Sequence, residues 1–188
     1  IWMTLVLKPE IDPNHASMIT LVTALAVSKA ITDMTGRPAG IKWPNDIYWH
    51  DKKIAGILIE NVLSGSTFSR AIIGMGLNIN QKNFYSDAPN PVSLYQITGR
   101  TYKIEKILDE FTEAFGKRYT DTFTNSSDRI HKEYIATLYR NDGVYPFYSD
   151  GNIFHASIAD VELDGHLLLS TESGEKKRFA FKEVSFLL

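Results

Sequence analysis

The 188 residues allow one ordinary domain and one small one, and 44% hydrophobic against 22% charged residues is an ordinary globular balance. A formal net charge of −2 argues against a broad basic surface for nucleic acid or anionic membrane. Without cysteine, disulfides, thiolate zinc sites and cysteine nucleophiles are excluded, and a cytoplasmic, reducing setting is the expectation.

Residues 1–8, IWMTLVLK, read as a buried strand closed by Pro9. The chain therefore begins inside an element, and upstream sequence is expected to be missing. Asp12 and Pro13 have the chemistry of an N-cap and a first helical residue. The Ala-, Leu- and Val-rich stretch 14–35 reads as a largely buried helix stopped by Gly36 and Pro38. No apolar run reaches the ~18–20 residues of a membrane span, so none is expected. Strand-like segments follow at 41–43, 47–49, 53–61 and 68–79, with turns at Pro44-Asn45-Asp46, His50-Asp51 and Ser64-Gly65-Ser66. Such close spacing implies antiparallel pairing.

Residues 81–93 are polar and contain proline, so they read as a loop. Ile104, Ile107, Leu108, Phe111, Ala114, Phe115 and Tyr119 form the stripe of an amphipathic helix, and a shorter helix is expected over 129–139. Past Asn141-Asp142-Gly143 the character changes to short strands at 144–148, 154–161, 166–170, 178–181 and 184–187, punctuated by Asp-Gly and Ser-Gly pairs. This predicts a small SH3-like barrel over 141–188 behind a larger domain over 1–140.

The densest chemistry lies between Lys42 and Glu60. Lys42, Asn45 and Asp46 cluster at a proline turn, and Lys53 heads an apolar strand carrying Gly56. A lysine at a strand end can present a point charge to a cleft, and a glycine three residues on lets a ligand approach the backbone. A hairpin with a polar turn and a solvated lysine pair is equally open. The second cluster is Gly74-Met75-Gly76-Leu77-Asn78. It lacks the third glycine of a dinucleotide fingerprint and is no Walker A loop. Asn78 could read a base edge, or the glycines could mark a bulge or close packing. The five histidines, at 15, 50, 131, 155 and 166, make no HExxH, and no GxSxG elbow is present. Asn125-Ser126-Ser127 is a sequon expected to be fortuitous.

In this order, KWPNDI (Lys42–Ile47), KIAGILIE (Lys53–Glu60) and GMGLN (Gly74–Asn78) resemble the biotin protein ligase family, and the similarity extends through Pro91–Leu94 to the closing strands. The resemblance implies an α/β fold of the α+β type: a mixed, mainly antiparallel sheet with helices on one side, plus the SH3-like unit. It implies ATP-dependent ligation of biotin to a lysine of a biotin carboxyl carrier domain, through biotinyl-5′-AMP, with Mg2+. By match, Lys53 would be the catalytic lysine, bridging the biotin carboxylate and the α-phosphate. Gly56 would give room to biotin, and Asn45 and Asp46 would face phosphates and magnesium. Asn78, with Leu77 and Ile79 around it, would read adenine. Lys42 would support the polar cluster, and Trp43 would pack.

The matching pattern also departs from the family. The Gly/Arg-rich GRGRxGR-type loop and the strand and helix before it have no match, nor does a winged-helix domain. Lys182 replaces a glycine of the closing motif, and Leu187 stands about where some members carry an arginine. These 188 residues alone are therefore expected to be impaired. A homodimer is a further expectation, with no nucleic acid or membrane as partner. A lipoate or octanoate transferase of the same fold, or a non-catalytic relative that binds a nucleotide or carrier, are the alternative readings.

Overall fold

A computed structural model describes residues 1–9, 12, 16–64, 67–85, 90–122 and 127–187. The expected helix start at Pro13, the turn at Gly65-Ser66 and the asparagine of the sequon lie outside these residues.

Two five-stranded antiparallel sheets organise the chain. The first runs β1(Trp2–Leu7)–β5(Thr67–Leu77)–β4(Lys52–Ser64)–β3(Asp46–Trp49)–β2(Gly40–Lys42). Alternation along its strands sorts side chains cleanly between two faces. Leu5 and Ile73 face each other on one side, and Val6, Ile72 and Glu60 share a row on the other. On the first face Ile57, Ala71, Ile73 and Met75 are buried. On the second, Trp2 is 95% and Leu58 63% exposed. β1 is thus not the fully buried strand its composition suggests. Its apolar run serves two faces, and only one is covered by helices.

The cover is α1(Ser17–Thr35), whose buried residues point in every direction around its axis. A helix apolar all round must be enclosed. The sheet lies on one side, α3(Ile104–Thr122) and α4(Ser127–Thr137) on the other. At 19 residues and a mean hydropathy of 1.3, α1 is long and apolar enough to cross a bilayer by length and composition, contrary to the reading of the sequence. Here 67% of that window is buried inside the protein. It ends at Gly36, whose φ of 66° and N–H bond to the Thr32 carbonyl close the helix. α3 buries the expected stripe through Ile107, Phe111 and Phe115.

Directly after the stretch expected to be loop comes a short helix that was not expected, α2(Leu94–Thr98). Ser93 and Gln96 cap it reciprocally, each side chain bonding the other's backbone N–H, and Gly99 closes it with a φ of 71°. The Ser-x-x-Gln signature is visible in the sequence.

The second sheet runs β10(Ser185–Phe186)–β6(Tyr145–Ser149)–β7(Asn152–Val161)–β8(Leu167–Thr171)–β9(Lys176–Phe179). Its core is aromatic: Phe147 is fully buried, 4.8 Å from the Phe186 ring and 6.0 Å from Phe154. Among the described residues β9 and β10 do not pair, so the sheet is open rather than a closed barrel. Several contacts tie it to the first unit. Trp43 Nε1 donates to the Gly165 carbonyl at 3.1 Å, His131 Nε2 lies 2.7 Å from the Val161 carbonyl, and the Tyr139 and Phe186 rings are 6.3 Å apart. Trp43 is accordingly a packing residue, 5% exposed.

Candidate active site

Register brings the sequence clusters together on the open face of the first sheet. Asp46 pairs with Lys42 on one side and Gly56 on the other, Gly56 pairs with Gly76, and Gly76 pairs with Trp2. These five residues form one row across five strands. The next row is Leu58, Gly74 and Thr4. Three glycines at neighbouring positions leave a floor of bare backbone, with Trp2, Leu58 and the Asp46 carboxylate around it.

The reasons for glycine differ among the three. A Cβ at Gly56 would meet Lys53 Nζ at 3.3 Å and Asp46 Oδ1 at 3.4 Å, so the missing side chain makes room for an ion pair. Lys53 Nζ and Asp46 Oδ1 are 2.6 Å apart, with the lysine side chain 41% and the aspartate 26% exposed. A Cβ at Gly76 would meet nothing within 4 Å, and one at Gly74 only the Leu58 carbonyl at 3.7 Å. None of the three has a left-handed φ. Neither backbone conformation nor packing within the chain requires glycine at 76. Open space over bare backbone is what a ligand lying flat on the sheet needs.

Lys53 is placed by its backbone as well. A bulge between Ile47 and Tyr48 shifts the β3–β4 register at its position. Its N–H donates to the Asn90 carbonyl at 2.9 Å and its carbonyl accepts from Val92 N–H at 2.9 Å. The same segment reaches Asn78, whose carbonyl accepts from Leu94 N–H at 3.1 Å while its N–H donates to Ile54. Asn78 and Ile79 have left the strand that was expected to run through them. The Asn78 amide side chain is half-buried and makes no hydrogen bond within the described residues, so its donors and acceptor remain available. Ile79 is 2% exposed and packs in the core, and Leu77 exchanges backbone bonds with Ile1. Any contact these two make with a ligand would run through main chain or the half-buried Leu77 side chain.

Asn45 faces inward. In the turn that contains a cis Trp43–Pro44 peptide, its Nδ2 donates to the Ile57 carbonyl at 2.5 Å and its carbonyl accepts from Ile57 N–H at 2.9 Å. It thereby locks the turn onto β4 and holds Asp46 beside Gly56. Lys42 shares the row but bends away. Its Nζ donates to the Tyr48 hydroxyl at 3.1 Å and lies 4.7 Å from the Tyr48 ring and 5.6 Å from the Phe186 ring. That is a cation–π seat built partly by the second sheet.

Two further features had no sequence signal. Trp2 stands at the edge of the glycine floor, since only cross-strand register sets it beside Gly76. The other is a set of groups beside the Lys53 hairpin. The Tyr139 hydroxyl donates to the Asp51 carboxylate, and Arg140 Nη2 lies 3.3 Å from it. These partners hold Asp51 below its ordinary value, the Tyr139 bond first, while burial first and that bond second push the Tyr139 phenol up.

An apolar cavity lies on the opposite, helix-covered side of the sheet, lined by Met3, Ile31, Met75 and Phe111 among others. At about 30 Å3 it is roughly a tenth of a small-molecule pocket, so it is a packing void. Asp46 is a hard oxygen donor with one oxygen on Lys53. A lone carboxylate of this kind fits the way magnesium is usually held, by one or two carboxylates with substrate oxygens and water completing its shell.

A family model described as the biotin/lipoate A/B protein ligase family matches residues 1–78. The bifunctional ligase/repressor BirA of Bacillus spizizenii is 31% identical over 188 residues, spanning 96% of this chain and 56% of that protein. The biotin–[acetyl-CoA-carboxylase] ligase of Paracoccus denitrificans is 32% identical over 143 residues, 73% of this chain and 60% of that protein. The chain thus spans little more than half the length of the curated relatives it matches. The solved structure of biotin protein ligase from Aquifex aeolicus in complex with biotin and ATP aligns with a TM-score of 0.78, over 98% of this chain and 76% of that one, at 24% identity. At that identity the likeness is one of fold, and it agrees with the mixed α+β architecture of antiparallel sheets.

Proposed function

We propose that this protein is a member of the biotin/lipoate A/B protein ligase family, whose model matches residues 1–78, and that it joins biotin to a lysine of a biotin carboxyl carrier domain at the expense of ATP, through biotinyl-5′-AMP. The observation that carries the reading is the Lys53–Asp46 pair lying across Gly56 at the end of a glycine floor. The first step brings a carboxylate to the α-phosphate of ATP, two anions, and builds charge between them. A fixed ammonium that both can approach lowers that cost.

In this reading the fused ring system of biotin rests over Gly56 and Gly76. Lys53 turns from Asp46 toward the carboxylate and the α-phosphate oxygens. Asp46 is then free to hold magnesium, which supplies further charge neutralisation at the phosphates. Asn78 offers its unused amide to adenine. Asn45 keeps the turn in place, and Lys42 sits at the phosphate side of the row. The attacking group in the second step is the carrier's lysine amine. It displaces AMP from the mixed anhydride and forms the amide.

Residues 141–188 are read as a separate unit of SH3-like type behind a core of residues 1–140. The order of its strands supports this, with β9 and β10 as the pair that would close it. A cytoplasmic setting and a homodimer through the sheet belong to the same reading. The test is pyrophosphate release by the full-length protein with ATP and magnesium, driven in turn by biotin, lipoate and octanoate. Biotin alone should support release and subsequent labelling of a carrier domain. Release with lipoate or octanoate in its place would move the protein to the lipoate branch of the family.

A further inference from the structure

The hairpin that presents Lys53 is tethered from outside its own sheet. Its turn is His50-Asp51, two residues before Lys53. The Asp51 carbonyl accepts from Asn90 Nδ2, and the Asn90 carbonyl in turn accepts from Lys53 N–H. The Asp51 carboxylate accepts from Tyr139 and from Arg140. The turn is therefore held through both of the acceptor groups that Asp51 offers.

Arg140 is the hub of this arrangement. Its side chain is only 14% exposed, against 68% for that of Asp51. One end donates to Asp51 and the other to the Leu187 carbonyl at 2.5 Å, just after β10. The rings of Tyr139 and Tyr145 lie 5.0 Å away on either count. Its backbone has a φ of 60°, a region that side chains other than glycine rarely adopt. Such a conformation persists where the surroundings over-determine it, and it gathers near functional sites. The chain reaches this position along a defined track. Tyr139 N–H donates to the Ile41 carbonyl at 2.8 Å, which continues the first sheet's edge with the end of α4.

We propose that Arg140 is a positioning residue for Lys53. It pins the β3–β4 turn, through Asp51, to the end of the last strand, and so sets where β4 carries the ammonium relative to Asp46 and Gly56. The second sheet then takes part in the chemistry without touching a substrate. This rests on the role given to Lys53 above, and a misplacement of the order of an ångström at such a group is costly: about 100-fold in rate.

Arg140→Ala, Arg140→Lys and Asp51→Asn in the full-length protein test it, with Arg178→Ala as the control for an ion pair elsewhere in the second sheet. Asp51→Asn weakens the link from its exposed end, removing the charge and leaving an amide oxygen as a poorer acceptor, and keeps the buried Arg140 side chain in place, which guards against simple misfolding. Amide hydrogen exchange needs no ligand. Arg140→Ala and Asp51→Asn should speed exchange at Lys53 and Val92 by about tenfold, while Ile107 and Phe111 in α3 keep their protection. Arg140→Lys should restore part of it, and Arg178→Ala should leave it unchanged. In single-turnover adenylate formation Arg140→Ala should lose about 100-fold in rate with unaltered ATP affinity.

Wild-type exchange at Lys53 in both variants would overturn the proposal. So would equal acceleration in α3, which marks general destabilisation, or an adenylation rate that does not change. A wild-type protein that forms no adenylate from biotin would instead remove the biotin reading. The exchange comparison would still decide whether Arg140 fixes the Lys53 hairpin.

Discussion

The two sheets have the same number of strands and the same antiparallel pairing, yet they treat their faces in opposite ways. The first is clad by helices on one side and, among the described residues, left bare on the other, where three glycines and a Lys–Asp pair lie in register. The second has no helix of its own and fills its interior with Phe147, Phe154, Phe179 and Phe186. Charge follows the same division. In the first sheet Lys53 has one carboxylate partner over a glycine and is 41% exposed. In the second Arg178 has two carboxylate partners, bonding Glu162 at 2.5 Å and also Asp164. A cation already held by two carboxylates serves structure. A cation with one partner beside open backbone can exchange that partner for a substrate.

If that division holds, the largest effect should come from the second core. Phe147→Ala removes a fully buried ring and should cost ~3–5 kcal/mol of stability in denaturant titration. Lys53→Ala should do the reverse: an unchanged midpoint, with adenylate formation reduced by ~10²–10³. A stability loss at Lys53 as large as at Phe147 would break the comparison, as would near-normal pyrophosphate release.

Smaller effects sharpen it within the first sheet. Gly56→Val should cost ~1–3 kcal/mol in biotin binding by crowding the space of the Lys53–Asp46 pair. Asn78→Ala should cost ~0.5–1.5 kcal/mol in ATP binding and leave biotin unaffected, since its amide supports nothing inside the protein. Calorimetry with each ligand separates the two, and equal losses of both ligands in each variant would contradict the geometry.

The smallest effect concerns acid. Asp51 in the first unit and Asp164 in the second are both held below the ordinary 3.8, by Tyr139 and Arg140 in one case and by His166 and Arg178 in the other. A depressed carboxylate stabilises the fold above its ordinary value, and that contribution is lost as pH falls through the folded one. Both groups are largely exposed, so screening keeps the contribution small. Asp51→Asn and Asp164→Asn should each flatten the stability profile slightly below about pH 4 and leave it unaltered at neutrality. Monitoring Lys53 exchange over the same range should show a response for Asp51→Asn alone.

Sequence by itself determined the local elements and the inventory of the site. The period of α3, the Gly36 stop, the closely spaced strands and the glycine and lysine clusters are all written in neighbouring residues, where short-range sterics and periodicity act. The capping box at Ser93 belongs there too, although a polar, proline-containing stretch concealed it. Tertiary structure decided the rest. Which face of β1 stays open, why Gly56 is glycine, and how Trp2 comes to stand beside Gly76 depend on register between strands up to 74 positions apart in pairing. Asn45 turned out to brace β4, Ile79 to pack in the core and Lys42 to sit against Phe186. The tether from Arg140 to Asp51 joins residues 89 positions apart. No local pattern encodes such contacts, because they join segments far apart in sequence that only the packed fold brings together.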